Sequence, residues 1–385
     1  MTLEGRDIVC VGFSDWGKDV LTNEQHLLVR LAERNRILYV ESLGLRRPQL
    51  AGRDLRRMAR RAIRGLLPAR SVDGLHVLSP LVLPVHSRAA ARRFNAQVLP
   101  WLVKRAADRI GLRDPLLWTF VPQAEVLLGR LRPSKVLYYA DDDHGAKPGI
   151  DEASFREAEN RFAPQANAVL ASAPAIVERL SRLNDNVHYA PSVADTKLFA
   201  TALEEGPVDP SVAALPTPRI VFIGAIRAST IDVPLVVELA RLRPSWSFAF
   251  VGPVGMGDPR TNVDALREPP NVHLFGTRPY EQLPSVLRGA DAAIVPYLTG
   301  GAMRSVFPMK IYEYLAAGVP VVSTPLDSLE DVDEVAKAAD AAATARLLDD
   351  ALEHDSRAAR SERSARAQSH SWEARIEQID TVLGG

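Results

Sequence analysis

The chain has 385 residues, room for two domains of ordinary size, and its 46% hydrophobic and 24% charged residues describe a globular rather than a disordered protein. A single cysteine, Cys10, excludes an internal disulfide and fits a reducing compartment; its place in the apolar run 8–11 predicts a thiol packed as a small hydrophobe. The net charge is zero but unevenly spread: residues 1–200 carry 30 Lys/Arg against 22 Asp/Glu, and residues 46–70 carry nine arginines against Asp54 alone.

The start of the chain lacks the charged, apolar and cleavage regions of a signal peptide, and no stretch approaches the roughly 20 apolar residues of a membrane span. A cytoplasmic location is therefore expected, and no nucleic-acid partner. Peripheral contact with the inner face of an anionic membrane is a further expectation. It rests on residues 46–70, which place Leu55, Met58, Ala62 and Leu66 at helical spacing among the arginines.

Short apolar runs alternate with longer amphipathic ones, which predicts parallel sheets flanked by helices. In the first half the expected strands are 8–12, 37–41, 75–81, 116–121, 136–140, 168–171 and 187–190. Helices are expected over 23–34, 46–70, 89–110, 125–130, 151–161 and 175–182. Residues 201–218 hold four prolines without a period and read as a connection between domains. A second series follows, with strands at 220–224, 247–252, 272–275, 292–296 and 319–323, and helices at 233–242, 264–267, 280–289 and 308–317. The tail carries Trp372, Ile376, Ile379 and Leu383 on one helix. The expected division is a first domain over 1–205, a linker over 206–218, a second domain over 219–366 and a C-terminal helix over 367–385. Two doubly wound domains imply a ligand cleft at the carboxyl ends of their strands.

The residues with most chemical content run from Ala290 through the Gly300-Gly301 loop to Val322. The order is strand, glycine loop, helix, glycine stop and strand, with Pro308 suited to a first helical turn and Gly318 to the residue after the last. A helix start of this kind attracts phosphate. Lys310 and Glu313 share one face, so a cation for a diphosphate stands one turn before a carboxylate for a ribose diol. An exposed Lys–Glu pair of no function has the same spacing.

That run resembles the donor-site signature of retaining GT-B glycosyltransferases (glycosyl transferases group 1), through the E-x-x-A-x-G-x-P-V-V pattern at Glu313, Ala316, Gly318, Pro320, Val321 and Val322. It is closest to the subset carrying P-x-K-x-x-E-Y, matched by Pro308, Lys310, Glu313 and Tyr314. The upstream glutamate of that signature is Ser305 here. Residues 191–199 are similar to the family's P-N-G-V-D-x-x-x-F segment, Ile220–Arg227 to its first donor-domain strand and loop, and Leu274–Arg278 to the strand end that meets the base.

The resemblance implies a GT-B architecture: two Rossmann-like domains facing a cleft, with a C-terminal helix crossing back to the first. It further implies transfer of a sugar from a nucleoside diphosphate sugar to an acceptor hydroxyl, with retention, in bacterial glycan or glycoconjugate biosynthesis. The acceptor would be a glycan, a lipid-linked sugar or a small molecule. Arg227 and Lys310 would grip the diphosphate, and Glu313 the ribose. Gly224, Thr277, Arg278, Gly300, Gly301, Arg304 and Ser305 would complete the donor site. No cofactor and no metal is expected, since cations and helix start replace the metal. A nucleotide-sugar epimerase and a catalytically inactive donor-binding protein remain open alternatives.

In the first half, Gly12–Gly17 follows the first strand without being a G-x-G-x-x-G fingerprint, against a dehydrogenase. Ser14, Asp15, Trp16 and His26 are candidates for the acceptor side. Asp141, Asp142 and Asp143 end a strand; a single carboxylate contacting the acceptor, Asp142, is preferred to a D-x-D metal site.

Overall fold

The structure, a computed structural model, describes residues 3–17, 22–45, 67–83, 88–147, 149–256, 258, 261–300, 303 and 306–384. These residues group into two compact units: the first holds 1–191 with 376–385, the second 192–375.

The first unit is built on eight strands: β1 (Asp7–Val11), β2 (Arg36–Val40), β3 (Arg70–Val72), β4 (Leu75–Leu78), β5 (Leu116–Thr119), β6 (Val136–Ala140), β7 (Ala168–Ala171) and β8 (Val187–Tyr189). Their spatial order is β3-β4-β2-β1-β5-β6-β7-β8, parallel throughout except for the β3–β4 pair. The central strands are buried on both faces, as expected of a parallel sheet covered by helices, with Ile8, Tyr39, Trp118 and Tyr138 among the largest fully buried side chains. Cys10 is buried in β1, where burial pushes its thiol well above the usual range.

The basic segment expected to be helical to residue 70 ends instead in a strand. Arg70 opens β3, because Asp73 and Gly74, at φ 51° and 80°, make the two-residue turn that folds β3 back on β4. Residues 46–66 of that expected helix lie outside the described residues.

The second unit has six parallel strands: β9 (Arg219–Ile223), β10 (Ser247–Val251), β11 (Val272–Phe275), β12 (Ala292–Val295), β13 (Val321–Ser323) and β14 (Val335–Lys337). Their order, β11-β10-β9-β12-β13-β14, reverses between β9 and β12. Phe222, Phe248 and Phe250 fill the layer between sheet and helices.

The chain passes between units at Pro191–Ser192, not at 206–218. Residues 206–218 are part of the second unit: Asp209 caps helix Pro210–Ala213 and pairs with Arg278, and Val212 is fully buried. Prolines at 207, 210, 216 and 218 thus punctuate a packed segment rather than a free connection. The last helix, Trp372–Gly384, starts in the second unit and is grouped with the first from Ile376 onward. There Asp380 accepts the Leu3 amide at 2.5 Å, Gln378 donates to the Tyr189 carbonyl at 2.9 Å, and Lys135 donates to the Leu383 carbonyl.

Candidate functional site

In an open doubly wound sheet the crevice for a ligand opens where strand order reverses, beyond the carboxyl ends of the two strands concerned. In the second unit those strands are β9 and β12, and the residues that follow them are Gly224–Arg227 and Pro296–Tyr297. Two glycines let the loops approach each other closely. Gly224 is at φ +139°, and a Cβ there would meet the Lys310 ammonium nitrogen at 2.5 Å. Gly252, at φ +151°, would place a Cβ 2.1 Å from the Gly224 carbonyl oxygen. Both positions therefore need glycine, one to admit a side chain and the other to admit backbone.

The side chain admitted at Gly224 is Lys310. Its ammonium donates to the Tyr297 hydroxyl at 2.6 Å and lies 4.1 Å from the centroid of the buried Phe222 ring, so it is aimed at the strand ends rather than outward. Tyr297 is itself held by an antiparallel bridge to Ile231. From the same loop as Gly224, Arg227 carries a buried Nε that has no hydrogen-bond partner among the described residues. A buried guanidinium N–H in that state has donor capacity that the described residues do not use.

The helix bearing Lys310 is shorter than expected: it spans Lys310–Ala316, with Pro308 before it. Its early N–H groups at Ile311 and Tyr312 bond to the Pro308 and Met309 carbonyls at 3.0 and 3.1 Å. Positive charge at the site therefore comes mainly from side chains, with little left to a helix dipole of two turns. Gly318, at φ 75°, ends the helix as its sequence position suggested.

Glu313 stands one turn beyond Lys310 and is only 5% exposed. It accepts a hydrogen bond from the Tyr280 hydroxyl at 3.0 Å. Burial pushes its carboxyl up to about 7, against the opposing pull of the Tyr280 bond and the Lys310 charge. The next residue, Tyr314, reaches the end of β9, where its hydroxyl accepts the Ile223 amide at 2.7 Å. The P-x-K-x-x-E-Y spacing thus gives one short helix three jobs: a cation at the glycine loop, a carboxyl in a dry pocket, and a pin on the central strand.

The other expected donor residues divide. Gly300 and Thr277 are exposed. Arg278 is turned to Asp209, with Nε–Oδ2 at 2.7 Å, and also reaches Ser211, which makes it a fastener of segment 206–218. Gly301, Arg304 and Ser305 lie outside the described residues.

In the first unit the strand order reverses between β1 and β5, and the loop after β1 holds Ser14, Asp15 and Trp16 of the expected acceptor-side residues. Glu24, buried and unremarked in the sequence, accepts the Phe13 and Ser14 amides at 3.0 and 2.9 Å and the Tyr39 hydroxyl at 3.1 Å. Burial raises its carboxyl above the usual value, with the charge of Asp141 adding to the rise. Glu41 likewise accepts the Trp16 amide and an Arg70 N–H. Trp16 is buried with its indole N–H on Asp73, and His26 is buried on helix Asn23–Ala32, so both are packed into the unit. The Asp15 carbonyl accepts from Gln25.

Each member of the Asp triplet has a separate cationic or imidazole partner: Asp141 with His144 at 2.9 Å, Asp142 with Lys147 at 2.7 Å, Asp143 with Arg156 at 2.6 Å. His144 stacks flat on Phe13 with centroids 3.8 Å apart. Among the described residues no group of three or more His, Cys, Asp or Glu is arranged to hold a metal ion.

Comparison with known proteins bears on the fold and on the second unit. The model of the family described as "Glycosyl transferases group 1" matches residues 217–354. A Bacillus subtilis protein named as a teichuronic acid biosynthesis glycosyltransferase, TuaH, is 36% identical over 107 residues, which is 28% of this chain and about a quarter (26%) of that protein's length. Among solved structures, sucrose-phosphate synthase from Thermosynechococcus elongatus aligns over 98% of both chains, at 16% identity and a TM-score of 0.67. Anabaena HepE in complex with UDP-glucose aligns over 97% of this chain and 99% of its own, at 16% identity and a TM-score of 0.65. An E. coli protein bound with UDP-2-fluoro glucose aligns over 98% and 99%, at 12% identity and a TM-score of 0.66. Likeness at such identities speaks for the fold alone, which is the GT-B arrangement of two Rossmann-like domains. The chain has the GT-B fold, and its residues 217–354 match the model of the glycosyl transferases group 1 family.

Proposed function

We propose that this chain is a glycosyltransferase that moves a sugar from a nucleoside diphosphate sugar to an acceptor hydroxyl. The observation that carries the reading is the Lys310 ammonium seated over Gly224 at the strand-order reversal, with the buried Glu313 carboxyl one turn away and the Arg227 Nε without a partner among the described residues. The matched family and the UDP-containing neighbours support it. In the reaction, the bond from the acceptor oxygen to the anomeric carbon forms. The bond from that carbon to the phosphate oxygen breaks, its electron pair stays on the diphosphate, and the departing diphosphate takes up the proton that the acceptor hydroxyl loses. Arg227 and Lys310 stabilise the charge that grows there, in a site walled by Phe222 and Tyr297, where such charges interact more strongly than in water. Glu313, when ionised, accepts from the ribose diol. Asp142, held beside Lys147, is the proposed contact to the acceptor. Retention of configuration rests on the family resemblance, and a role in bacterial glycan or glycoconjugate biosynthesis on the similarity to the Bacillus protein.

The test is incubation with a panel of labelled nucleotide sugars. Release of diphosphate that requires an acceptor supports transfer. A new sugar isomer without acceptor would replace it with epimerisation, and binding without turnover under every condition would leave a donor-binding protein.

A further inference from the structure

The first unit exposes an aromatic and cationic helix face. Helix Ala89–Arg109 buries Ala91, Asn95, Leu99, Val103 and Ala106 against the unit. The opposite face follows from the 3.6-residue period and carries Arg93, Phe94, Gln97, Trp101 and Arg105, all exposed. Phe94 is 36% and Trp101 47% exposed, and the Arg105 guanidinium lies 5.5 Å from the Trp101 ring centroid. Before the helix, Leu83 is 41% exposed and has its amide and carbonyl both bonded to the buried Asn95 side chain, at 2.8 and 3.0 Å. From residue 88 to 109 the sequence holds six cations against one acid, Asp108, which pairs with Lys104.

We infer that this face docks on an anionic lipid bilayer, with Trp101 and Phe94 entering the headgroup boundary and Arg93 and Arg105 meeting lipid phosphates. Tryptophan beside cations on one helix face is the side-chain combination suited to that boundary, where the ring is half apolar and the charges find counter-ions. A second copy of the chain is the poorer occupant, because two-fold pairing would set the arginine cluster against itself. The docking does not depend on the transfer reading, and it names residues other than 46–70.

The full-length protein reports on this directly. Of its five tryptophans, Trp16, Trp118, Trp246 and Trp372 are buried and only Trp101 is exposed, so a blue shift of fluorescence on adding vesicles reads Trp101. Vesicles of phosphatidylglycerol with phosphatidylcholine should give the shift and sediment the protein. Vesicles of phosphatidylcholine alone should bind about ten-fold less, and added salt should release the protein. Phe94→Ser with Trp101→Ser, and separately Arg93→Glu with Arg105→Glu, should each lower binding by about ten-fold while leaving nucleotide-sugar turnover in solution unchanged. Sedimentation that survives both pairs but is lost on deleting 46–70 would overturn the inference and move docking to that segment. Self-association abolished by the same substitutions, or preference for a single-stranded oligonucleotide over vesicles, would overturn it too. None of these outcomes alters the transfer assay, so the two readings fail separately.

Discussion

Replacing Glu313 by Gln isolates the effect of a buried carboxyl from that of its hydrogen bond, since the amide oxygen can still accept from Tyr280. The wild-type carboxyl rises from an ordinary value of 4.5 to about 7 in the folded protein, and burial is the main cause. Between those values the folded chain holds a proton that the unfolded chain has lost, so this group's stabilising contribution is complete below 4.5 and disappears as pH climbs through about 7. At about 1.36 kcal/mol per tenfold, that rise corresponds to a loss of about 3 kcal/mol, an upper value for so dry a site. Glu313→Gln has no such titration. Denaturant unfolding of both proteins across this range should show little difference below 4.5 and a growing advantage for the glutamine form, levelling off above about 7. Nucleotide affinity should run the other way. The wild type binds better once the carboxylate is ionised, and the glutamine variant binds weakly at every pH. A stability difference that stays constant with pH would refute the reasoning, because it would mean that Glu313 is solvated or already charged in the folded protein.

The remaining predictions concern its neighbours. Lys310→Ala should lower turnover at least ten-fold, on the order of 1.4 kcal/mol of barrier, in steady-state kinetics with the preferred donor. Gly224→Ala puts a methyl where the Lys310 ammonium sits and should weaken nucleotide binding by about ten-fold, as read by titration calorimetry, with a modest stability loss from the positive φ. Gly252→Ala meets backbone instead and should cost at least about 2 kcal/mol in unfolding experiments. Tyr314→Phe strands the buried Ile223 amide and should destabilise by about 1–3 kcal/mol, with unchanged unfolding identifying another acceptor for that N–H.

The architecture was legible because parallel strands buried on both faces leave uninterrupted apolar runs, such as Ile8–Val11 and Ala292–Val295, that helices cannot imitate at that length. The Lys310–Glu313–Tyr314 helix was legible from spacing and resemblance together, since all three residues lie on one short element. What stayed hidden depends on pairings far apart in sequence. Tyr280 meets Glu313 across 33 residues, and Arg278 is drawn to Asp209 across 69; nothing local marks either. Glu24 is equally silent, because an acid in the first turn of a helix reads as ordinary complement to its dipole, not as the clamp on Phe13 and Ser14. The fate of Arg70 turned on the Asp73-Gly74 pair, a hairpin signal that the arginine run and its helical spacing outweighed.

The most direct measurement is a crystal structure of the protein soaked with UDP or another nucleoside diphosphate. The account predicts the two phosphates against Lys310 and Arg227 at the end of β9, with both ribose hydroxyls on the Glu313 carboxylate. A nucleotide bound elsewhere on the molecule, or a Lys310 ammonium still bonded to Tyr297 with no phosphate beside it at saturating nucleotide, would contradict it.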